Sequence, residues 1–413
     1  MSKAGINYIR SNKISHNLFP VVKDILSKKS SFFKIVNKHP APFYVFDQSE
    51  LDESIDRFIN AFRNRLPLST YYALKLNHYS LLVKRVVEKG VGLEVASIRE
   101  LDIALNAGSK NILYYAPAKN KNDLRYILQN ADKVRIHLDS FDELGILGEL
   151  TNELKIKIDV GVRINLPSFG IWTKYGIPIS SLKKFWKESE KYPLVKLNGI
   201  HFHQSRNRTT SFYTDTIKKL AEYLKINFSP LQLTEIEHID IGGGYEWTRS
   251  EGEIVRNKSN WPTYKILEAP TIEEYAQTIE GAIKKYLEPI VQATYITEPG
   301  RYICNKAMHI VLKVGHIKNK DECVLNGGVN MIGWQRFEHE YFPLVNITSP
   351  DNKEQPCRMW GNLCTTWDIW GYYYYGKGLN VDDVIVVPYQ GALSYSLAQS
   401  FINEIPSVYK LKL

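Results

Sequence analysis

The stretch GLEVASIRELDIALNAGSKNILYY, residues 92–115, decides how this chain folds. It opens on a short apolar run, GLEV, and closes on another, NILYY (111–115). Between them SIRELDIALNAG (97–108) is amphipathic, with Ser97 placed as N-cap, Glu100 at the third helical position and Gly108 as stop. A strand, a capped helix and a second strand in so few residues predict a parallel pair joined by a helical crossover.

The same texture extends in both directions. Strands are expected at 70–74, 92–95, 111–115, 133–138, 155–164, 197–203, 236–241 and 294–298. Amphipathic segments lie between them, such as NKNDLRYILQNA (120–131), SFDELGILGELT (140–151) and EEYAQTIEGAIKKYL (273–287). The second of these caps at Asp139 or Ser140. Eight strands, each followed by a helix or a long connection, predict a (β/α)8 barrel, with an open doubly wound sheet as the alternative. After Arg301 helical periodicity fades, and short strand-like runs appear at 302–315, 322–326, 384–388 and 407–412. KHPAPFYVFD (38–47) is also strand-like and precedes the barrel. The expected division is therefore a barrel over 49–300 and a discontinuous β domain from 1–48 and 301–413. GYYYYG (371–376) is read as a packed strand or an interface.

Composition narrows the function. A chain of 413 residues, 44% hydrophobic, exceeds what one core holds, since cores stop growing at roughly 250–300 residues. The net charge is +9, but the 53 Lys and Arg are spread without a long basic run. That argues against a nucleic-acid partner and leaves small acidic ligands open. The four cysteines, Cys304, Cys323, Cys357 and Cys364, form no CxxC pair. Neither a zinc site nor a disulfide framework is expected, and a reducing compartment is. The start carries no apolar leader, and no run of about 18 apolar residues occurs. A cytoplasmic protein with no membrane partner is expected.

In such a barrel the chemistry gathers where strands end. STYYALKLNHYS (69–80) ends the first strand with Lys75. Strict alternation puts Tyr71, Ala73 and Lys75 on one face. A lone strand-end lysine ordinarily reaches out to solvent; a catalytic one has its pKa lowered by desolvation so that it can form a Schiff base. The second strand ends in Glu94, the sixth carries His201 and His203, the seventh runs into Gly242, Gly243 and Gly244, and the eighth into Glu298, Gly300 and Arg301. The triple glycine lets backbone N–H groups wrap an anion, Arg301 can clamp a phosphate, and these two loops form the usual phosphate site of the fold. An amine, a phosphate cradle and a buried carboxylate together point to pyridoxal 5′-phosphate. Glu298 then sits against the pyridine nitrogen and His203 against the ring face. His201 and His203 also share a face, but with no third ligand in view no metal is expected.

These residues resemble the fold-type III pyridoxal-phosphate decarboxylases, the family of diaminopimelate, ornithine and arginine decarboxylases. YYALKLN (71–77) is similar to the family's Y-A-x-K-x-N, which makes Lys75 the Schiff-base lysine. GLEVASIREL matches with Glu94 in place of the usual aspartate. PAKNKNDLRY (117–126), DSFDEL (139–144), KYGI (174–177), GGGY (242–245), EPGR (298–301) and GNLCTTWDIW (361–370) follow in the expected order. The resemblance runs from about residue 40 to 405. It implies a barrel with a C-terminal β domain, as in alanine racemase, and a homodimer whose active sites are shared. Cys364 then protonates the carbanion after CO₂ leaves, and Asp368 faces the distal end of the substrate. An amino-acid racemase and a non-catalytic relative are the competing readings. The glycine, EPGR and C-x-x-x-D motifs argue against the first, and the retained Lys75, Cys364 and Asp368 against the second.

Three departures bear on substrate. The family's H-x-G-S reads His203-Gln204-Ser205-Arg206, which leaves Ser205 and adds a cation. Its G-A-Y reads Gly391-Ala392-Leu393, with Tyr395 as the available substitute at the phosphate. The glutamate of the diaminopimelate enzymes' C-E-S is missing from Cys364-Thr365-Thr366. GIHFHQSRN and GNLCTT resemble the siderophore-pathway branch of the family. That implies an amino acid joined to citrate, such as citryl-ornithine, with Arg206 and Arg336 binding its carboxylates; the alternative is diaminopimelate decarboxylation to lysine.

Overall fold

The computed structural model describes residues 18–166, 173–246, 250–256, 261–333 and 340–412. Two compact units emerge. One comprises Ile55–Glu246 and Pro270–Tyr302; the other comprises Met1–Ser54, Trp247–Ala269 and Ile303–Leu413.

The first unit is the barrel. Its strands are β1 (Leu68–Ala73), β2 (Gly92–Val95), β3 (Ile112–Tyr115), β4 (Val134–Leu138), β5 (Ile158–Asn165), β6 (Val195–His201), β7 (His238–Asp240) and β8 (Thr294–Thr297). Each pairs in parallel with the next, and β8 closes on β1 through Tyr295 opposite Leu68 and Thr297 opposite Thr70. This closure excludes the open doubly wound sheet. Local sequence explains the crossovers. Ser97 accepts from the Glu100 N–H and starts the helix Ile98–Asn106. Asn120 and Asp123 form a reciprocal capping box on Lys121–Leu128, and Ser140 caps Phe141–Leu154. Each cap satisfies amides that a helix start would leave unpaired.

The second unit is built on an eight-stranded sheet. Phe43–Phe46 lies inside it, antiparallel to Met308–Asn319 and parallel to Val408–Lys410. Its core packs Phe43, Val45, Val311, Val345, Tyr375, Val384 and Val386 against Val22, Ile25 and Phe32 of two short helices, Phe19–Ser27 and Lys29–Val36. Of its strands, Val345–Asn346 and Glu354–Trp360 escape the sequence reading, whereas the packed strand expected in the tyrosine run is present. Glu354–Trp360 carries Pro356 and loses register beside it, which breaks the local pattern. Ile369–Tyr375 contains the tyrosine run, with Tyr373, Tyr374 and Tyr375 buried. Trp247–Ala269 falls within the span 49–300 expected for the barrel but clusters with this unit instead. There Gly252–Val255 pairs with Thr263–Ile266 and with Glu340–Tyr341.

Tyr264 and Tyr341 stack with ring centroids 3.5 Å apart, and both hydroxyls donate to Glu354. Burial pushes the Glu354 carboxyl up to about 7, against the pull of the two phenols. A carboxyl whose folded pKa is raised binds its proton more tightly folded than unfolded, so stability declines as pH climbs from the unfolded value near 4.5 to 7 and then levels off. Glu354→Gln is expected to remove that decline. The urea midpoints of wild type and variant should diverge across this window in favour of the variant. Parallel pH profiles would show that Glu354 titrates normally.

Candidate active site

Period-two alternation does not reach Lys75. β1 ends at Ala73, and Leu74–Leu76 forms one 3₁₀ turn, closed by the Asn77 N–H donating to the Leu74 carbonyl at 3.1 Å. Leu74 is buried and the Lys75 side chain is 42% exposed at the strand's C-terminal end. Its Nζ donates to Glu94 Oε2 at 2.6 Å, and Glu94 is only 1% exposed. The expectation of a lowered lysine pKa is corrected here. Burial does act downward, but the carboxylates of Glu94, Glu298 and Glu100 outweigh it and hold the ammonium above its ordinary value. Glu94 answers in kind: burial lifts its carboxyl to about 7 although Lys75 pulls it down.

Glu298 directly follows β8. One of its oxygens lies 3.4 Å from His203 Nδ1 and 3.6 Å from His201 Nε2. Burial opposes its charge, yet these imidazoles hold it well below the usual carboxylate range. Burial lowers His203 to about 4, with Glu298 pulling upward. Asp240 lies on β7, where burial and then the Glu298 charge push it well above the ordinary value. The pair therefore carries one negative charge, placed on Glu298.

The triple glycine answers first to backbone crowding. Gly242 and Gly244 have φ of 67° and 91°, a region that disfavours side chains. A Cβ on Gly243 would lie 2.0 Å from the Glu298 carbonyl oxygen. The loops after β6, β7 and β8 are thereby laced together: Asn207 N–H donates to the Gly244 carbonyl, and Glu298 N–H to that of Gly242. The expected cradle of successive free amides is also corrected. Gly242 N–H donates to Asp240 Oδ1 at 2.8 Å and Gly243 N–H to His203 Nδ1 at 3.0 Å, which leaves Gly244 N–H without a chain partner among the described residues. Ser205 lies half-buried in the neighbouring loop, and Arg206 beyond it is exposed with φ 54°. Gly300 packs where a Cβ would meet Leu76 at 2.6 Å. Arg301 Nε lies 3.4 Å from Glu246 Oε1, so its guanidinium is shared with a carboxylate of the same unit.

Other expected site residues belong to the β unit. Cys364 is exposed on its loop. Asp368, expected to face the substrate, is 1% exposed and spends its two oxygens on the backbone amides of Val329, at 2.8 Å, and Leu363, at 2.6 Å. Within this chain it staples the 361–368 loop rather than presenting a free carboxylate. Tyr395 packs edge-on to Tyr44, with centroids 5.6 Å apart, and Leu393 adopts φ 62°. Arg336 lies outside the described residues.

Several residues that line the site escape the sequence reading. Arg163 on β5 is 5% exposed, lies 4.5 Å from the Tyr115 ring centre and donates to the His203 carbonyl at 3.2 Å. Tyr115 in turn donates to Asp139 at 2.5 Å. His201 meets more than His203: one ligand atom each from His137, His201, Asp240 and Glu298 falls within 4.8 Å of the others. The available signal was a charged or imidazole side chain inside an otherwise apolar strand, as in RIHLD, VGVRIN and HIDIGG.

The residues fit pyridoxal 5′-phosphate. Glu298 Oε1 and Glu94 Oε1 are buried with no hydrogen-bond partner among the described residues. Such atoms are costly to leave unpaired, and an ionised Glu298 is the acceptor that a protonated pyridine nitrogen needs. Lys75 supplies the amine on the same rim. No described helix is long and apolar enough to cross a membrane.

Comparison with known proteins agrees. The diaminopimelate decarboxylase of Methanocaldococcus jannaschii is 25% identical over 89% of this chain and 85% of its own. A Staphylococcus aureus protein, 2-[(L-alanin-3-ylcarbamoyl)methyl]-2-hydroxybutanedioate decarboxylase, is 24% identical over 87% of this chain and 91% of its own. Among solved structures, the M. jannaschii diaminopimelate decarboxylase in complex with L-lysine superposes with a TM-score of 0.77 at 23% identity, covering 91% of this chain and 89% of that one. At that identity the superposition establishes the fold, a parallel barrel with a C-terminal β domain. Residues 51–305 match the model of the pyridoxal-binding domain of the pyridoxal-dependent decarboxylases. With that match over more than half its length, and Lys75, Glu94, His203 and Glu298 gathered on one barrel rim, the chain belongs to the pyridoxal-dependent decarboxylase family, whose cofactor is pyridoxal 5′-phosphate.

Proposed function

We propose that this enzyme decarboxylates an α-amino acid whose distal end is joined to a hydroxy-polycarboxylate, such as citryl-ornithine, on the route to a carboxylate siderophore. The observation that carries this is Arg206, exposed on the loop just beyond His203 with its backbone held at φ 54°. A cation there suits a substrate bearing extra carboxylates and not one ending in an ammonium. Cys364-Thr365-Thr366 provides no carboxylate for a distal ammonium either. The S. aureus relative is named for a substrate of this type, an alanine joined through an amide to a hydroxybutanedioate. Arg336 is a second candidate for the distal carboxylates.

Bound cofactor supplies the electron sink for loss of CO₂. In this reading Glu298 accepts the pyridine N–H, His203 covers the ring face, and Gly244 N–H, Ser205, Arg301 and Gly300 hold the phosphate, with Tyr395 in place of the absent tyrosine at 393. Lys75 is released from Glu94 to hold the cofactor through its amine. Cys364, contributed by a second copy in a homodimer, returns the proton, and Asp368 fixes the loop that carries it. The competing reading is diaminopimelate decarboxylation, favoured by the names of relatives from M. jannaschii and Campylobacter jejuni. CO₂ release from citryl-ornithine, meso-diaminopimelate, ornithine and lysine separates the two. Turnover of citryl-ornithine at least ~10-fold above the others supports the proposal, a margin one rim charge pair can supply. Turnover of meso-diaminopimelate alone overturns it.

A further inference from the structure

The interior of the barrel holds more polar chemistry than the cofactor uses. His137 (β4), His201 (β6), Asp240 (β7) and Glu298 (after β8) come from four parts of the barrel and converge within 4.8 Å. Their exposures are 0%, 0%, 0% and 3%. Barrel interiors are normally filled by branched apolar side chains. Both ring nitrogens of His137, both of His201, Asp240 Oδ2 and Glu298 Oε1 lack a hydrogen-bond partner among the described residues. So many unpaired buried polar atoms in one place require an occupant.

Spacing and charge say which. His137 Nδ1 and Asp240 Oδ2 are 3.7 Å apart, and His201 Nε2 and Glu298 Oε2 are 3.6 Å apart. Both gaps are too long for hydrogen bonds. They are close to the ~3.4 Å between neighbouring ligands of a tetrahedral ion with arms of about 2.05 Å. Two imidazoles and two carboxylates balance a divalent charge once the ion displaces the proton that Asp240 holds in its absence. The donor set has no thiolate for a soft ion and too few oxygens for calcium, and it suits zinc and its neighbours. The backbone makes room for it. A Cβ on Gly161 would lie 2.5 Å from the His137 ring, and one on Gly199 would lie 1.9 Å from His238, which stacks on His137 at 5.8 Å and 13°.

We propose that the barrel interior, at the C-terminal ends of its strands, binds one divalent transition-metal ion of the zinc class through His137, His201, Asp240 and Glu298. This goes beyond the decarboxylase reading and does not depend on which substrate is used. Glu298 belongs to both sets, so metal and cofactor affinities are linked, each altering the other by the same factor.

The test is elemental analysis of the cofactor-loaded full chain, grown in zinc-supplemented medium and dialysed against EDTA. About one equivalent of zinc per chain is expected to stay with so enclosed a site. His137→Gln and Asp240→Asn are each expected to bring it to background while the cofactor's visible absorbance is retained. Loading cobalt(II) in place of zinc should give visible ligand-field bands in wild type alone, a readout that holds even if a variant folds poorly. Background metal in the wild type, with no cobalt bands after equilibrium dialysis, overturns the proposal and leaves the cluster to water. Full metal retention in both variants overturns the ligand assignment.

Discussion

Lys75→Ala is expected to lower CO₂ release by ~10³-fold or more, in line with removal of the amine that holds the cofactor covalently. The cofactor's visible absorbance should disappear on the same preparation after reconstitution. Lys75 sits on a 3₁₀ turn with its amine on Glu94 at 2.6 Å, so alanine also leaves a buried carboxylate without its counter-ion. Lys75→Arg separates the two effects. Arginine restores a cation beside Glu94 but stays protonated at all useful pH values. Its thermal midpoint should approach wild type while its activity stays with the alanine variant. If either variant kept both absorbance and turnover, the assignment of the amine would fall.

The second large effect is expected at Glu298. Glu298→Gln keeps the shape but removes the one negative charge that this site stabilises. In the variant the Glu298 charge that helps to raise Asp240 is gone, but burial, the larger cause, still opposes ionisation of Asp240 in its place. Losing a preorganised charge aimed at the reacting centre costs on the order of 10²–10³-fold in kcat. The loss should appear in kcat with the cofactor still bound, and a kcat within ~3-fold of wild type would exclude the role, being far below that range. Because Glu298 is also a proposed metal ligand, His137→Gln serves as the control: it touches the metal set without removing the charge at the pyridine.

Most of the barrel was readable because its signals are local. Ser97 with Glu100, and Ser140 with Glu143, are capping patterns a few residues long, and the structure forms both. The strand ends carrying Glu94, His201 and Glu298 were readable for the same reason. Trp247–Ala269 was not. It lies between β7 and β8, yet its strands pair with Glu340–Tyr341, roughly ninety residues away in sequence, and no local pattern carries a pairing that distant. The triple glycine was half legible. Its conformational demand shows in the residue type, but its amides are claimed by Asp240 and by a histidine on another loop, His203.

The sequence by itself determined that strands and helices alternate, that Lys75 ends the first strand region, and that chemistry gathers at successive strand ends. Those follow from side-chain periodicity and from capping, which act over one or two turns of chain. Only the tertiary structure decided the protonation of the site and its neighbours. Lys75 keeps its charge because Glu94 and Glu298 converge on it, and Glu298 keeps its own because two imidazoles do. His137, Asp240 and Arg163 joined the site for the same reason. Barrel closure turns separate strands inward on one axis, and electrostatics depends on distance in space rather than in sequence.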